Sequence, residues 1–210
     1  YEHQRGMLAL LEGDMPTALR LMRAAVASAR ASGFQMREHI ALIANALAAA
    51  HSGEHAEAQQ ALDQVFSHPM FAACRWHHWV GGCVAAYAAL LRDDDAGVLR
   101  HLRAALHVAR ECGYRHGPML FLCGDMMSRL CAFALLHGVE PDIARDIAVR
   151  NQLKAPPQAD GSWPWAVRVR ALGALEVEIG GTPMASSRKE SRRLLELLGV
   201  LAAHGHTPVA

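Results

Sequence analysis

The feature that most constrains the fold of this chain is a turn motif that recurs over its first 153 residues. The turns read GDMPTAL from Gly13, GEHAEAQ from Gly53, DDDAGVL from Asp93 and GVEPDIA from Gly138, at separations of 40, 40 and 45 residues. A small or acidic turn residue, a few polar residues and then a small apolar residue are typical of helical-hairpin arrays, where tight turns bring helices together. The sequence therefore predicts a mainly α fold, an antiparallel helical-hairpin array or α-solenoid.

Four pairs of helices are predicted around these turns. Apolar residues recur at helical spacing, and glycine, proline or aspartate residues separate the segments. The predicted pairs cover residues 7–11 with 16–29, 36–52 with 54–67, 74–92 with 96–112, and 119–137 with 141–153. Alanine supplies much of the apolar content, which favours closely packed helices.

The last stretch, residues 167–210, has a different period. Apolar and charged residues alternate there, as they do in half-buried strands, before a leucine-rich segment with helical spacing. The predicted elements are strands over residues 167–173 and 175–181, a short strand over 182–185, an N-cap at Ser186-Ser187 and a helix over 194–201. This is a small α+β piece, with a β-hairpin or three short strands followed by one helix.

This succession resembles the start of the response-regulator-type winged-helix DNA-binding domain of bacterial antibiotic-regulatory activators. In that family a strand ends in Leu-Gly, as at Leu172-Gly173, and a Leu-rich helix is entered through a basic residue, as at Arg188-Lys189. The resemblance implies a transcriptional regulator that binds promoter DNA. The family's recognition helix and wing would lie beyond Ala210, so the truncated domain should not read specific bases itself.

The helical part resembles the stretched tetratricopeptide-like repeats of the large ATP-dependent activators of maltose-regulator type. Its period exceeds the 34 residues of standard tetratricopeptide repeats, and no repeat carries their full signature. The resemblance implies a protein or small-molecule effector on the repeats and an ATPase domain before Tyr1. The phosphate-binding motif GxxxxGK[ST] is absent from this sequence, so we expect no nucleotide cofactor within it.

Charge and hydropathy exclude few functions but argue against a strongly basic surface. The 21 Lys and Arg residues are balanced by 20 Asp and Glu residues. Residues 167–210 are slightly basic, with six basic and four acidic residues, whereas the remainder is neutral. We find no signal peptide and no apolar run of membrane-spanning length, and the first residue is Tyr1. We expect a piece of a larger cytoplasmic protein that has no contact with a membrane.

Motifs for catalysis or metal binding are weak. The five cysteines lack CxxC spacing and are expected to be buried, reduced thiols. The 13 histidines lack the spacing and companion ligands that zinc prefers. The acidic run at residues 93–95 is better explained as a helix-start cap than as a calcium loop. No nucleophile, base and acid can be grouped by spacing, so we expect no enzyme activity.

Ligand binding is the remaining hypothesis for the helices. Helical-hairpin arrays curve, and the first helix of each pair usually lines the concave side. Polar or aromatic residues on predicted first helices are the candidates for such a groove: Arg37, Asn45, Trp76, His77, Trp79 and Asp125. Each could equally be a cap, a surface residue or a satisfied core residue.

A small basic cluster precedes the last predicted helix. Arg188, Lys189, Arg192 and Arg193 could contact DNA phosphate in the complete domain, and the alternative is a solvated helix face. Residues 154–166 are predicted to be a Pro/Trp linker between the helices and the strands. Within it, Trp163 or Trp165 is expected to pack against the last helical pair or the strands.

Together these patterns predict a fragment of a bacterial transcriptional regulator. Residues 1–153 would sense a signal or bind a protein, and residues 167–210 would begin the DNA-binding domain. A homodimer is compatible with this interpretation. The alternative is a protein-protein interaction scaffold that has no role in DNA binding.

Overall fold

The computed structural model describes residues 1–116, 125–170, 176–184, 193 and 196–200. The chain is mainly α-helical and carries a small three-stranded antiparallel sheet, which confirms this part of the predicted fold class. It divides into two compact units, Tyr1–Ser162 and Trp163–Ala210. Within the described part of the chain, no helix is both long and apolar enough to cross a membrane.

The first unit, called the helical unit, consists of helices joined by short turns. Its described helices are α1 (Glu2–Glu12), α2 (Met15–Ser32), α3 (Gln35–His51), α4 (His55–Ser67), α5 (Pro69–Ala73), α6 (Arg75–Leu90), α7 (Asp95–Cys112), α8 (Met126–Leu136) and α9 (Pro141–Arg150). The predicted pairs are observed as α1 with α2, α3 with α4, α6 with α7 and α8 with α9. The sequence did not predict α5, and the start predicted for the seventh long helix, at residue 119, lies outside the described residues.

The turns within the four pairs close in the same way. Each has one residue in the left-handed region, with φ of 78° at Gly13, 77° at Gly53, 56° at Asp93 and 65° at Gly138. The residue after it donates its N–H to the carbonyl of an alanine five residues earlier: Asp14 to Ala9, Glu54 to Ala49, Asp94 to Ala89 and Val139 to Ala134, at 2.8–3.1 Å. This is the bond that closes many helix C-termini, and glycine favours it because it has no Cβ.

The core lies around α3 and α6, which are buried on nearly all sides. The buried residues of α3 include all of residues 41–50, and those of α6 include all of residues 79–89. Small side chains allow this close packing. A Cβ added at Gly82 of α6 would lie 3.0 Å from the Cβ of Ala105 on α7, so this crossing leaves no room for a larger residue.

The second unit, called the sheet unit, contains β1 (Val167–Arg170), β2 (Glu176–Ile179) and β3 (Thr182–Pro183). They pair antiparallel in the order β1-β2-β3, with Val167 opposite Ile179. The three predicted strands are therefore present, although their predicted extensions over residues 171–175 and 185 lie outside the described residues. Residues 196–200 are helical and fall within the helix predicted over 194–201.

The two faces of the sheet differ, as the alternating sequence predicts. One face carries the apolar residues, of which Val177 is buried. On the other face Arg168 pairs with Glu178 at 3.5 Å, and Arg170 pairs with Glu176 at 3.3 Å. These arginines therefore have their charge offset within the sheet.

Residues 154–166, all of which are described, form turns and contain no helix or strand. Of the two linker tryptophans, Trp163 is buried and Trp165 is 39% exposed. Arg168 of β1 donates from Nη2 to the carbonyl oxygen of Trp163 at 3.3 Å. One linker tryptophan is thus held by its backbone to the first strand.

The cysteines only partly match the expectation of buried thiols. Cys83 and Cys131 are buried, and burial raises the pKa of Cys131 to about 12 and that of Cys83 further. Cys74 is half-buried, and Cys112 is exposed, so burial was predicted wrongly for Cys112. Cys112 is the last residue of α7, where apolar helical neighbours in the sequence do not guarantee cover. Cys123 lies outside the described residues.

Candidate functional site

The structure places the six predicted groove residues in different surroundings. Arg37 and Asn45 line two separate recesses of the helical unit. Trp76 and His77 belong to a group of aromatic rings, with their ring centroids 5.4 Å apart. The remaining two, Trp79 and Asp125, lie in the core and at the start of α8. The six therefore do not form one groove.

Arg37 lies at a recess of about 260 Å³ beside the start of α1, the end of α2 and the start of α3. The residues around it include Tyr1, His3, Ser32 and Ile40. The guanidinium carbon of Arg37 lies 5.9 Å from the ring centroid of Phe34. This contact holds the arginine over an aromatic ring and gives the recess one cationic wall.

Asn45 lies at a second recess, of about 240 Å³, which we call the Asn45 recess. It is bounded by α2 and α4 and has α3 as its floor. Its apolar lining is Val26, Leu42 and Ala61, and its polar lining is Arg23, Arg30, Asn45, Glu57, Gln60 and Gln64. The recess thus has an apolar base between polar walls, as small binding sites commonly do.

A polar network joins three helices at this recess. Arg23 of α2 donates from Nε to Oε1 of Glu57 on α4 at 3.0 Å and from Nη2 to Oε2. Asn45 of α3 donates from Nδ2 to the same Oε1 at 3.2 Å. The hydrogen bond from Arg23, and after it the bond from Asn45, lowers the pKa of Glu57, which is therefore ionised at neutral pH.

A second connection crosses from α2 to α4 further along the recess. Arg30 donates from Nε to Oε1 of Glu38 at 2.8 Å and from Nη2 to Oε1 of Gln64. The Arg23–Glu57 and Arg30–Gln64 links are each separated by seven residues on both helices. Because a helix rises 1.5 Å per residue, they stand roughly 10 Å apart and mark the two ends of the recess.

Asn45 has one polar atom that the network does not use. The residue is 6% exposed, and its Oδ1 has no hydrogen-bond partner among the residues that the structure describes. An unpaired buried amide oxygen is unfavourable by about 1–3 kcal/mol. It is therefore an acceptor that a ligand donor could satisfy.

The ring group around His77 is a second unusual surrounding. His39 of α3 is fully buried, and its ring centroid lies 4.3 Å from that of His77 and 5.0 Å from that of His68. Burial, and then repulsion by His77 and His68, lowers the pKa of His39 to about 3. Neither ring nitrogen of His39 has a hydrogen-bond partner in the described part of the chain. The imidazole is therefore neutral at ordinary pH.

A metal ion is not suggested by this group. Across the described ranges, no set of three or more His, Cys, Asp or Glu side chains is arranged to hold one. Phe71 stacks on His78 with centroids 4.2 Å apart, so ring packing accounts for much of the cluster.

The last two groove candidates have structural surroundings. Trp79 is fully buried and stacks on Tyr114 with ring centroids 5.4 Å apart. Asp125 is exposed and immediately precedes α8, although its side chain makes no capping hydrogen bond. Trp79 is therefore inaccessible to a ligand, whereas Asp125 remains at the surface.

Of the predicted phosphate contacts, Arg188, Lys189 and Arg192 lie outside the described residues. Arg193 is helical and exposed. Its side chain is thus open to solvent, as a phosphate contact requires.

Sequence reasoning missed Arg23, Arg30, Glu57 and His39. Asn45 attracted attention because it interrupts an apolar run, but its partners are 12 and 22 residues away. Position in the sequence gives no direct sign of such contacts. The 40-residue period offers one signal, since it identifies the residue that stands at the equivalent place in the next pair.

Comparisons with models of protein families, with curated proteins and with solved structures find no match to this chain.

Proposed function

We propose that this chain is part of a bacterial transcriptional regulator. In this proposal the helical unit is a tetratricopeptide-like α-solenoid that receives a signal from a protein or small-molecule effector. The sheet unit is the beginning of a winged-helix domain that binds promoter DNA when complete. The protein acts in the cytoplasm as a regulator rather than an enzyme, either as a monomer or as a homodimer.

The observation that carries the proposal is the regular spacing of the helices together with the order of the elements after them. Helices α2, α4 and α7 begin at Met15, His55 and Asp95, and α3 and α6 begin at Gln35 and Arg75. Both series have a step of 40 residues, which is typical of stacked helical hairpins. The order of three antiparallel strands and then a helical segment matches the start of a winged helix of response-regulator type.

Signal transfer in such a protein is a shift between populations. An effector that binds one arrangement of the hairpins more tightly than another favours that arrangement. The DNA-binding domain is then exposed, or brought together with a second copy, in a larger fraction of molecules. The recesses beside Arg37 and Asn45 are places at which such an effector could bind.

The test begins with the reading frame on both sides of this chain. We expect it to continue past Ala210 into a second helix, a helix rich in Arg and Lys and a hairpin. The product should bind DNA, and the logarithm of its affinity should fall linearly with the logarithm of salt concentration, by about 0.9 for each phosphate contact. Exchanging Arg188, Lys189, Arg192 and Arg193 together for alanine should reduce that slope.

A matched control is Arg103→Ala, since Arg103 is exposed on α7 and its exchange removes the same type of charge. Its salt slope should equal that of the unmodified protein. A frame that continues into further hairpins, or a product whose DNA binding ignores both salt and the basic cluster, would show that the chain is an interaction scaffold instead. Deletion of the helical unit with no change in DNA binding or effector response would refute its sensing role.

A further inference from the structure

The Asn45 recess can be compared with the equivalent place in the next helical pair. Since the helix starts repeat every 40 residues, α2, α3 and α4 correspond to α4, α6 and α7. The network residues Arg23, Asn45 and Glu57 then correspond to Asp63, Ala85 and Gly97. None of these three can reproduce the network, because alanine and glycine have no polar side chain. The hairpin architecture therefore does not require it.

The same shift explains why this recess is open. Val26 and Ala61 in its lining correspond to Phe66 and His101. The rings of Phe66 and His101 stack with centroids 5.7 Å apart and only 8° between their planes. Two stacked rings thus occupy the place that a valine and an alanine leave open one pair earlier. The recess results from this choice of side chains on a shared backbone plan.

We propose that the Asn45 recess binds the main chain of a short, extended peptide segment. The buried Oδ1 of Asn45 accepts a peptide N–H, and the amides of Gln60 and Gln64 offer a donor and an acceptor each. A peptide backbone presents donors and acceptors in alternation, which side-chain amides can satisfy at both ends. This site rests on the signal-sensing role proposed above, for which it supplies a ligand class.

The dimensions of the recess agree with a peptide. The Arg23–Glu57 and Arg30–Gln64 links stand roughly 10 Å apart, and an extended chain rises about 3.3 Å per residue, so about three residues fit between them. The side chains of Arg23 and Arg30 are 52% and 50% exposed, which leaves the recess open to solvent along its rim. A small metabolite is usually enclosed much more completely than this opening allows.

The arginines add a preference for acidic residues. A guanidinium has five N–H donors. Arg23 and Arg30 each commit Nε and Nη2 to partners within the described residues. The Nη1 side of each group can therefore donate to a carbonyl oxygen or to the carboxylate of an Asp or Glu in the bound segment.

The test uses the 210-residue chain and two sets of probes. One set is acetylated, amidated pentapeptides with either an Asp or an Ala at the centre, and the other is the free amino acids. The readout is the NMR signals of the side-chain amides of Asn45, Gln60 and Gln64 in isotope-labelled protein. We expect the blocked pentapeptides to shift these signals, those with Asp more tightly, and the free amino acids to leave them in place.

Two variants locate the site. Asn45→Ala removes the acceptor and should weaken binding about three- to tenfold, the usual effect of one hydrogen bond. The double variant Val26→Phe with Ala61→His copies the neighbouring pair and should abolish detectable binding. It introduces residues that the fold already accommodates 40 positions later, and its urea unfolding curve verifies that it folds.

The matched control is Arg20→Ala, because Arg20 is exposed on the same helix and does not line the recess. Its affinity for the peptides should be unchanged. The proposal is overturned if no blocked peptide shifts the three amides, if free amino acids bind instead, or if the folded double variant binds as before. DNA binding plays no part in this assay, so a failure of the regulator proposal and a failure of the peptide site are distinguishable.

Discussion

The α3–α4 and α6–α7 pairs share a backbone plan but differ in the side chains that lie between their helices. At α3, a polar network and small apolar side chains leave the Asn45 recess. At α6, Gly82 meets Ala105 directly, and the stack of Phe66 on His101 fills the equivalent space. The comparison teaches that turns and helix starts determine the arrangement of hairpins, whereas a few side chains decide whether a pair is closed or can admit a ligand.

The strongest test of this contrast is to place a large side chain in the closed pair. Gly82→Leu introduces at α6 the residue that α3 carries at the equivalent position, Leu42. Because a Cβ at Gly82 already lies 3.0 Å from Ala105, we expect a loss of about 3 kcal/mol in the free energy of unfolding. Urea denaturation followed by circular dichroism measures it.

The neighbouring glycine is the control for this substitution. A Cβ at Gly81 would meet Val65 at 3.4 Å, an ordinary contact. Gly81→Ala should therefore be neutral or stabilise the helix by up to about 1 kcal/mol. Equal destabilisation by the two exchanges would mean that the α6–α7 crossing is no tighter than its surroundings.

The junction between the two pairs is sensitive to acid through His39. Its pKa is about 3 in the folded protein against an ordinary value of 6.5, so the unfolded chain binds more protons between these pH values. His39 therefore has its full favourable effect above pH 6.5, and stability falls as the pH is lowered. From pH 7.5 to 5.5 this loss is about 1.4 kcal/mol.

His39→Leu should remove that part of the pH dependence, which urea unfolding at the two pH values measures. Burial also lowers the pKa values of His3, His51 and His101, so a weaker acid sensitivity should persist in the variant. His55→Gln, on the exposed start of α4, is the control and should keep the full difference. The same pH dependence in His39→Leu as in the unmodified protein would contradict the neutral, buried state of this ring.

The two pairs also differ at the start of their second helices. Asp94 caps α7, since its side chain accepts from the N–H of Gly97 at 2.9 Å, whereas Glu54 at the equivalent place makes no side-chain cap to α4. Asp94→Ala should lower stability by about 1 kcal/mol, and Glu54→Ala should have less effect. Thermal unfolding of the two variants under identical conditions makes the comparison, and equal shifts would remove the distinction.

The smallest expected effect concerns the polar network itself. Arg23 and Glu57 form a partly exposed ion pair, and such pairs contribute about 0–1 kcal/mol. Arg23→Ala should lower stability by no more than that, measured by urea unfolding at low and high salt. A much larger loss would indicate that the network exists to hold the fold, and would weaken its assignment to ligand binding.

The hairpins were predictable from the sequence because their signals are local. Gly13, Gly53 and Gly138 mark turns that need positive φ, and Pro16 lies in the first turn of α2. The strands were predictable for the same reason, since the alternation of Val and Arg in residues 167–170 directly gives two faces. Only α5 escaped, because its five residues follow a proline that was interpreted as the end of structure.

The site was only partly predictable, because its contacts join residues far apart in the chain. Asn45 was conspicuous as a polar residue in an apolar run, yet its link to Arg23 runs through Glu57 on a third helix. His39 looked like an ordinary residue at the start of a helix, and only packing against α6 shows that it is buried. Trp79 was expected at a groove, but a large aromatic side chain on a helix enclosed on all sides is more favourable in the core.

The bonds that close the four turns have a consequence for how the protein is made. Each runs between residues five apart, as from Asp14 to Ala9 and from Glu54 to Ala49, so it requires no distant part of the chain. Contacts that are local in sequence form early and fast, because little chain entropy is lost in closing them. Each hairpin can therefore form on the ribosome as its roughly 40 residues emerge, with every finished pair providing the surface on which the next one assembles.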